Sequence, residues 1–494
     1  QTDSIVLHHN HYKNFKDPLK KLRLDVNLRE SNLAFSDLAY FSNTFQEIPN
    51  HNFVISGDID GTVNNLKGDS IFLGTGMQSE ILTDFSLTGL PDISKTYMYI
   101  DVKHLYTGIQ DLGLVNNLLG EKGNIVLPEK FQNMGRIEYR GNFTGFIDDF
   151  VAYGKFNTQL GEFSTDLLIR PKQTQGLALE GALKTQDFNI GGMLENEEQF
   201  GNMSMDIQVE GSIFPDKGFQ AQTNGIVNKL EINQYNYKNI KLNGFLTDKM
   251  YDGVLSIEDP NIKFDFQGGI DFTSDIPIFD FYADLEKAKL NKLNLVAKDT
   301  SARLSFNLMA NFRGNNLDNA SGTITMNSGK LTKNNQILNF ESLNIKAEHN
   351  TDTHRIKLTS DYINAELMGQ YQSTTIYQSL KNMALSYLPV FVNQKKDTSA
   401  VKAKNDFELN IKLNNTQQIT NIFFPGLSIH DSSQVKLKYN GNKKSFNLTA
   451  ESRDFNYNNY NFQDIKLVSR SQDSIFSLVV RFDELKSFTG RELS

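Results

Sequence analysis

Apolar and polar residues alternate strictly along almost the whole of this chain, and a period of two makes a segment a strand with one buried and one wetted face. Leu22, Leu24, Val26 and Leu28 alternate with Arg23, Asp25 and Asn27, and Ile262, Phe264 and Phe266 alternate with Lys263 and Asp265. Leu304, Phe306, Leu308 and Ala310 repeat the pattern, as do Val435, Leu437 and Tyr439. Between such runs, Asp60-Gly61, Asp252-Gly253 and Asn440-Gly441 read as tight hairpin turns, because these residues tolerate positive φ. Antiparallel meanders follow, with roughly 30 strands at ~13 residues per strand and turn.

A chain of 494 residues that is only 39% apolar is poorly supplied for one thick core. It suits a long structure whose strands are each wetted on one face. The net charge of -8 argues against non-specific nucleic-acid binding, which needs a basic surface to displace counterions. The absence of cysteine excludes disulfides, thiolate metal sites and cysteine nucleophiles. The longest apolar stretch, Ala384 to Val392, is broken by Ser386 and Pro389 and falls short of the ~20 residues a spanning helix needs. The opening Gln1-Thr2-Asp3-Ser4 has no signal-peptide layout, so the chain reads as an interior or processed piece whose membrane anchor lies outside it.

Two segments have helical spacing. Ile376, Leu380, Met383, Ala384, Tyr387 and Leu388 fall on one face, with Ser373 or Thr374 as the cap and Pro389 as the stop. A weaker pattern around Leu105, Ile109, Leu112 and Leu119 predicts a short helix near 104–119, against the low propensity of Gly108 and Gly113. Two local repeats also stand out. Gly57 to Leu66 and Gly141 to Phe150 share glycines four apart, and Tyr235 to Leu242 matches Tyr460 to Leu467 as Tyr-Asn-aromatic-x-Asn/Asp-Ile-Lys-Leu. Repeated strand units imply an array that grows by stacking.

Residues arranged for chemistry are scarce. His8, His9 and His11 form the one tight histidine cluster; on a strand His9 and His11 would share a face, but no carboxylate or cysteine completes a metal site, and an exposed polar strand is the expectation. His349 and His354 bracket a hairpin turn. Asp58-Ile-Asp60-Gly61 fails the calcium-loop pattern at its later positions and is expected to be a turn. No nucleophile elbow, phosphate loop or His-Glu-x-x-His is present, and the acidic pairs Asp148-Asp149 and Glu197-Glu198 fit a solvated surface. The lysine excess between Lys381 and Lys444 reads first as a solvated linker around Asn393 to Asn405, and second as a contact for anionic headgroups. The reading is non-enzymatic, with no catalytic residue, no metal and no cofactor.

A continuous apolar face must pack on another sheet, face lipid, or hold a ligand, since helices are few. A dry sandwich or solenoid and a groove for acyl chains both account for large apolar residues on many strands. An outer-membrane barrel is disfavoured by the absence of tryptophan and of aromatic girdles. The Gly135 to Tyr139 strand, Gly141-Asn-Phe143-Thr-Gly145 and Gly154-Lys-Phe156-Asn-Thr-Gln-Leu160-Gly161 resemble the recurring unit of the TamB-like members of the AsmA-like family of Gram-negative bacteria. Leu127-Pro128, Ala320-Ser-Gly322-Thr-Ile324-Thr-Met326, Gly329-Lys-Leu331, Leu367-Met-Gly369 and the Tyr235 and Tyr460 units are similar too. The resemblance covers most of the chain from about Asn52 onward.

That resemblance implies an all-β fold, a long twisted antiparallel sheet curved into an open apolar groove, in a periplasmic protein anchored in the inner membrane. Its implied role is moving phospholipids between inner and outer membranes, within a system tied to outer-membrane protein assembly through an outer-membrane barrel partner. A β-sheet chaperone for outer-membrane proteins and a structural β-solenoid are the alternatives. Representative groove residues are Ile262, Phe264, Phe266, Leu304, Phe306, Leu308, Val435 and Leu437, touching phospholipid acyl chains. The expected organisation is partial N-terminal strands over 1–51, repeated groove units over 52–370, an amphipathic helix and linker over 371–405, and further groove over 406–494.

Overall fold

The computed structural model describes residues 2–34, 52–75, 79–108, 129–172, 176–214, 216, 218–350, 353–387, 405–472 and 475–487. The fold is all-β, with 28 strands in antiparallel meanders, and the chain divides into two compact units, Gln1–Asp248 and Lys249–Ser494. The division falls inside the run of strands that the sequence presents as continuous.

Unit 1 contains β1 (Thr2–His8), β2 (Arg23–Ala34), β3 (Asn52–Thr62), β4 (Asn65–Thr75), β5 (Glu80–Thr88), β6 (Tyr97–Gly108) and β7 (Arg136–Phe146). It continues with β8 (Asp149–Thr158), β9 (Gly161–Lys172), β10 (Gly176–Asn189), β11 (Phe200–Phe214), β12 (Gly218–Ile232) and β13 (Tyr235–Thr247). Each strand pairs antiparallel with the next. The short helices α1 (Pro18–Lys21) and α2 (Ile190–Leu194) sit in connections.

Unit 2 contains β14 (Met250–Glu258), β15 (Ile262–Asp271), β16 (Ile278–Lys289), β17 (Arg303–Arg313), β18 (Ser321–Lys333), β19 (Gln336–His349), β20 (His354–Ser360) and β21 (Ile363–Gln370). Helix α3 (Ser373–Tyr387) precedes β22 (Asp406–Leu413), and α4 (Thr416–Phe423) precedes β23 (Leu427–Ile429). Then come β24 (Gln434–Asn440), β25 (Ser445–Tyr457), β26 (Tyr460–Gln472), β27 (Ile475–Arg481) and β28 (Glu484–Ser487). The meander is again sequential, except that β22 pairs with β24, β23 lies beside β25, and β26 carries both β27 and β28.

Both repeats are real in three dimensions. Gly57 and Gly61 in β3 have φ of +126° and +123°, and Gly141 and Gly145 in β7 have +155° and +135°. A Cβ on Gly61 would stand 2.3 Å from the Asn65 carbonyl oxygen, and one on Gly145 would stand 2.4 Å from that of Asp149. Each strand thus reaches its two-residue turn at the same offset, and only glycine permits the approach. In the second repeat Asn239 and Asp464, the fifth residues, both adopt left-handed φ, +54° and +47°. Asparagine and aspartate tolerate that region, which explains their place in the motif. Left-handed Glu30, Ser70, Asp187 and Ser328, by contrast, accompany register shifts, and such bulges bend a strand and raise its twist.

Several sequence expectations are corrected. Asp58–Gly61 lies inside β3, with the turn further on, and Asp252-Gly253 lies inside β14, where Gly253 faces Gly268. Asp60 receives a bidentate bond from Arg23 (2.7 and 2.6 Å), and Asp58 accepts from Asn27 at 2.5 Å. Asn440-Gly441 does begin a turn. Leu105 is in strand β6, so no helix starts there; Ile109, Leu112 and Leu119 lie outside the described residues, as do Leu127-Pro128, Leu388 and Pro389. β1 ends at His8, so His9 and His11 share no strand face, and His11 instead accepts the Lys13 N–H at 3.2 Å. Among the described residues no group of three or more His, Cys, Asp or Glu side chains could hold a metal ion.

Candidate functional site

The cross-strand register of unit 2 assembles apolar residues into uninterrupted rows. One row runs Gly253, Gly268, Phe281, Ala310, Ile324, Ile345, Leu358, Ala365, Ile411, Val435, Ala450 and Leu467, with no polar side chain from β14 to β26. The next runs Phe279, Phe312, Gly322, Ala347, Ile356, Leu367, Leu409, Leu437 and Leu448. Between them on the opposite face stand Asp280, Asn311, Thr323, Lys346, Lys357, Glu366, Asn410 and Lys436. Directly paired residues point to the same side, so the period of two in each strand becomes an apolar and a polar face of the whole unit.

All eight residues chosen from the sequence lie on the apolar face. Phe266, Ala283 and Leu308 stand in line, as do Phe264, Leu285 and Phe306, and Ile262, Ala288 and Leu304. Their environments differ. Phe266 is buried, 7% exposed, with its ring centroid 6.0 Å from that of Tyr251 and 5.1 Å from that of Phe281. Phe264, Phe306, Leu308 and Val435 are half-buried. Leu437 is half-buried beneath a helix.

Two helices rest on this face near opposite ends of the strands. Helix α3 packs Ile376, Leu380 and Met383 around buried Tyr371, Phe407 and Tyr439, together with Leu367, Leu437 and Phe446. Helix α4 packs Ile419 and buried Ile422 around Leu338 and Tyr362, with Leu331 and Phe340. Between these two clusters Leu358, Ile411 and Val435 remain half-buried. The apolar face of α3 follows from its sequence period; its fastening does not. The carboxylate of Asp318, from a distant loop, accepts the Ser373 N–H at 2.7 Å and lies 3.1 Å from the Ser373 hydroxyl. Gln372, whose carbonyl accepts the Ile376 N–H, opens the helix, so Ser373 is a capped residue and not the cap. Asn405, 1% exposed, accepts from the Gln372 N–H (2.8 Å) and donates to Thr375 (3.0 Å) and Ser379 (2.8 Å). Beside this anchor, burial raises the pKa of the Tyr371 phenol to about 12, and among the described residues its hydroxyl has no hydrogen-bond partner.

Unit 1 carries a similar row from Ile71 through Thr83, Val102, Gly141, Gly154, Thr165, Leu183, Ile207 and Gly225 to Leu242. Hydroxyls on this face are turned into the backbone: Thr83 donates to Asp101 O at 2.9 Å, Thr165 to Ala152 O at 3.2 Å, and Thr223 to Gly244 O at 2.9 Å. Their methyl groups are left for packing, so the face stays apolar in chemistry as well as in composition. Tyr139, fully buried, lies over the facing pair Gly141 and Gly154, and burial pushes its phenol up. An aromatic strip continues from it through Phe156 (4.5 Å), Phe163 (4.7 Å) and Phe188 (6.2 Å).

His349 and His354 share the apolar face with Ala347 and Ile356, whereas the ion pairs Lys103–Asp84, Lys184–Asp206 and Arg355–Glu366 join neighbouring strands through exposed or half-exposed side chains. Compared with protein-family models, curated proteins and solved structures, the chain matches none of them.

Proposed function

We propose that this protein provides an apolar β-groove along which phospholipid acyl chains are carried through the envelope of a Gram-negative bacterium, in a TamB-type system linked to outer-membrane protein assembly. It acts without catalysis; an inner-membrane anchor and an outer-membrane barrel are the proposed partners. The observation that carries this reading is the apolar face of unit 2 with its uninterrupted rows, on which the large residues Phe264, Phe306, Leu308, Ile411 and Val435 are half-buried and not sealed into a dry core. A wall that is continuous, uncharged and unspecific in shape suits a liquid-like chain, with the headgroups left in water outside the groove. The repetition across strands favours a ligand that slides over one that docks at a point.

The test is native mass spectrometry with lipid extraction of the protein purified from a Gram-negative periplasm. Phospholipids should co-purify with the wild type and be lost from Leu308→Asp and Phe306→Asp, because an apolar conduit does not accommodate a desolvated carboxylate. Met309→Asp, on the opposite face and 60% exposed, should retain them. Phe266 is a poor probe, since a charge at so buried a position unfolds the site it is meant to test. A folded wild type free of lipid would overturn the conduit and leave a dry scaffold or a protein-binding module.

A further inference from the structure

We infer that α3 is an intrachain plug of the groove, and that the patch beneath it, formed by Leu367, Phe407, Leu437, Tyr439 and Phe446, is an acyl-chain site that α3 occupies in the closed state. The inference rests on the lipid reading above and deepens it. The patch belongs to the same apolar face as the open rows: Leu367, Leu409, Leu437 and Leu448 lie in line, as do Gly369, Phe407, Tyr439 and Phe446. A chain moving along that face from Leu358 and Ile411 meets α3 next. The helix covers the patch with Ile376, Leu380 and Met383, three flexible aliphatic side chains that present to the sheet the chemistry of an acyl chain. Roughly six to eleven acyl methylenes bury a comparable apolar area, a length that one acyl chain supplies.

Asn405 and Asp318 fasten the first half of α3. They hold residues 372–379 through hydrogen bonds, while Leu380 and Met383 lie beyond them on the patch. The helix can therefore lift from its distal half while its proximal turns stay anchored. Tyr377, 75% exposed, lies on the outer side of the helix.

The absence of cysteine makes the test direct. Met383 and Ser471 meet across the helix–sheet contact, with Sδ and Oγ 3.9 Å apart, so M383C/S471C can be bridged by a short bifunctional thiol reagent without touching Asn405 or Asp318. The full chain is incubated with phosphatidylethanolamine–phosphatidylglycerol vesicles bearing a diazirine in one acyl chain, irradiated, and the adducts are mapped by mass spectrometry. Unbridged protein should carry adducts on peptides containing Phe407, Leu437 and Phe446; bridged protein should lose these and keep those at Phe306 and Leu308. In a second variant, N405A, backbone amides of α3 should exchange faster and labelling of the patch should rise. Labelling of the patch that survives bridging, or adducts confined to Phe306 and Leu308 in every form, overturns the plug while sparing the conduit. No adducts at all, with circular dichroism unchanged, overturns the conduit and the plug with it.

Discussion

Gly268 and Gly269 are adjacent in β15, yet a Cβ on Gly268, with φ of +123°, would lie 2.3 Å from the Asp280 carbonyl oxygen, whereas one on Gly269 meets nothing closer than 3.7 Å. Gly268→Ala should therefore cost about 1–3 kcal/mol through backbone strain and displacement of β16, while Gly269→Ala should stay within about 0.5 kcal/mol of the wild type. Urea denaturation followed by circular dichroism measures both; equal midpoints would show that the facing strand yields. The pairing of β14 with β15 explains why Asp252-Gly253 is misread from sequence. An Asp-Gly dipeptide looks alike in a hairpin turn and in a strand interior, and what decides is the opposing residue, here Gly268, which no local window contains. Asp60-Gly61 fails in the same way, because Arg23 on the neighbouring strand claims the carboxylate that would otherwise close a turn. Asn239 and Asp464 show the converse: their left-handed conformation is implicit in the residue type and in the repeat.

Helix α3 divides cleanly into what its own residues specify and what distant ones supply. Its length and its buried face at Ile376, Leu380 and Met383 follow from a period of 3.6, but Asp318, which caps it, and Asn405, which anchors it, come from other segments and are silent in the local pattern. The same region holds a titratable pair. His349 and His354 face each other at the end of the β19–β20 hairpin, their Nδ1 atoms 2.7 Å apart, and the His354 ring lies 5.4 Å from that of Tyr371. Burial lowers the His354 pKa, the charge of His349 lowers it further, and Asp318 opposes both. Since the folded value lies below the unfolded one near 6.5, His354 contributes stability that is present above about pH 6.5 and lost as the pH falls through the folded value. The thermal midpoint should thus fall more steeply between pH 7.5 and 5 for the wild type than for His354→Gln. Parallel declines in the two proteins would place the sensitivity elsewhere.

Strand pairing within each unit is almost wholly between neighbours in sequence, and that gives each unit the connectivity of a one-dimensional array. Such connectivity is legible in the alternation of residues, because each strand needs only the next to cover its backbone. The location of α3 on the apolar face is not, since it depends on where Asn405 and Asp318 arrive after folding. Nearest-neighbour pairing also has an energetic consequence. Stability in an array is close to a sum over strands and their interfaces, so cutting between Asp248 and Lys249 leaves every pairing from β1 to β13 intact. Residues 1–248 expressed alone should therefore give a β-rich circular dichroism spectrum and a cooperative urea transition, with Tyr139 still buried against Phe143 and Phe156. A mutation inside the array should behave differently: Gly141→Val drives a side chain into the Tyr153 carbonyl oxygen, 2.1 Å from the position of a Cβ, and breaks the β7–β8 interface on which both flanking stretches rely. It should cost more than the truncation does, by at least ~2 kcal/mol in the same fragment. An unfolded 1–248 fragment would mean that the array is held together by more than its neighbours, and that the additive picture is wrong for this fold.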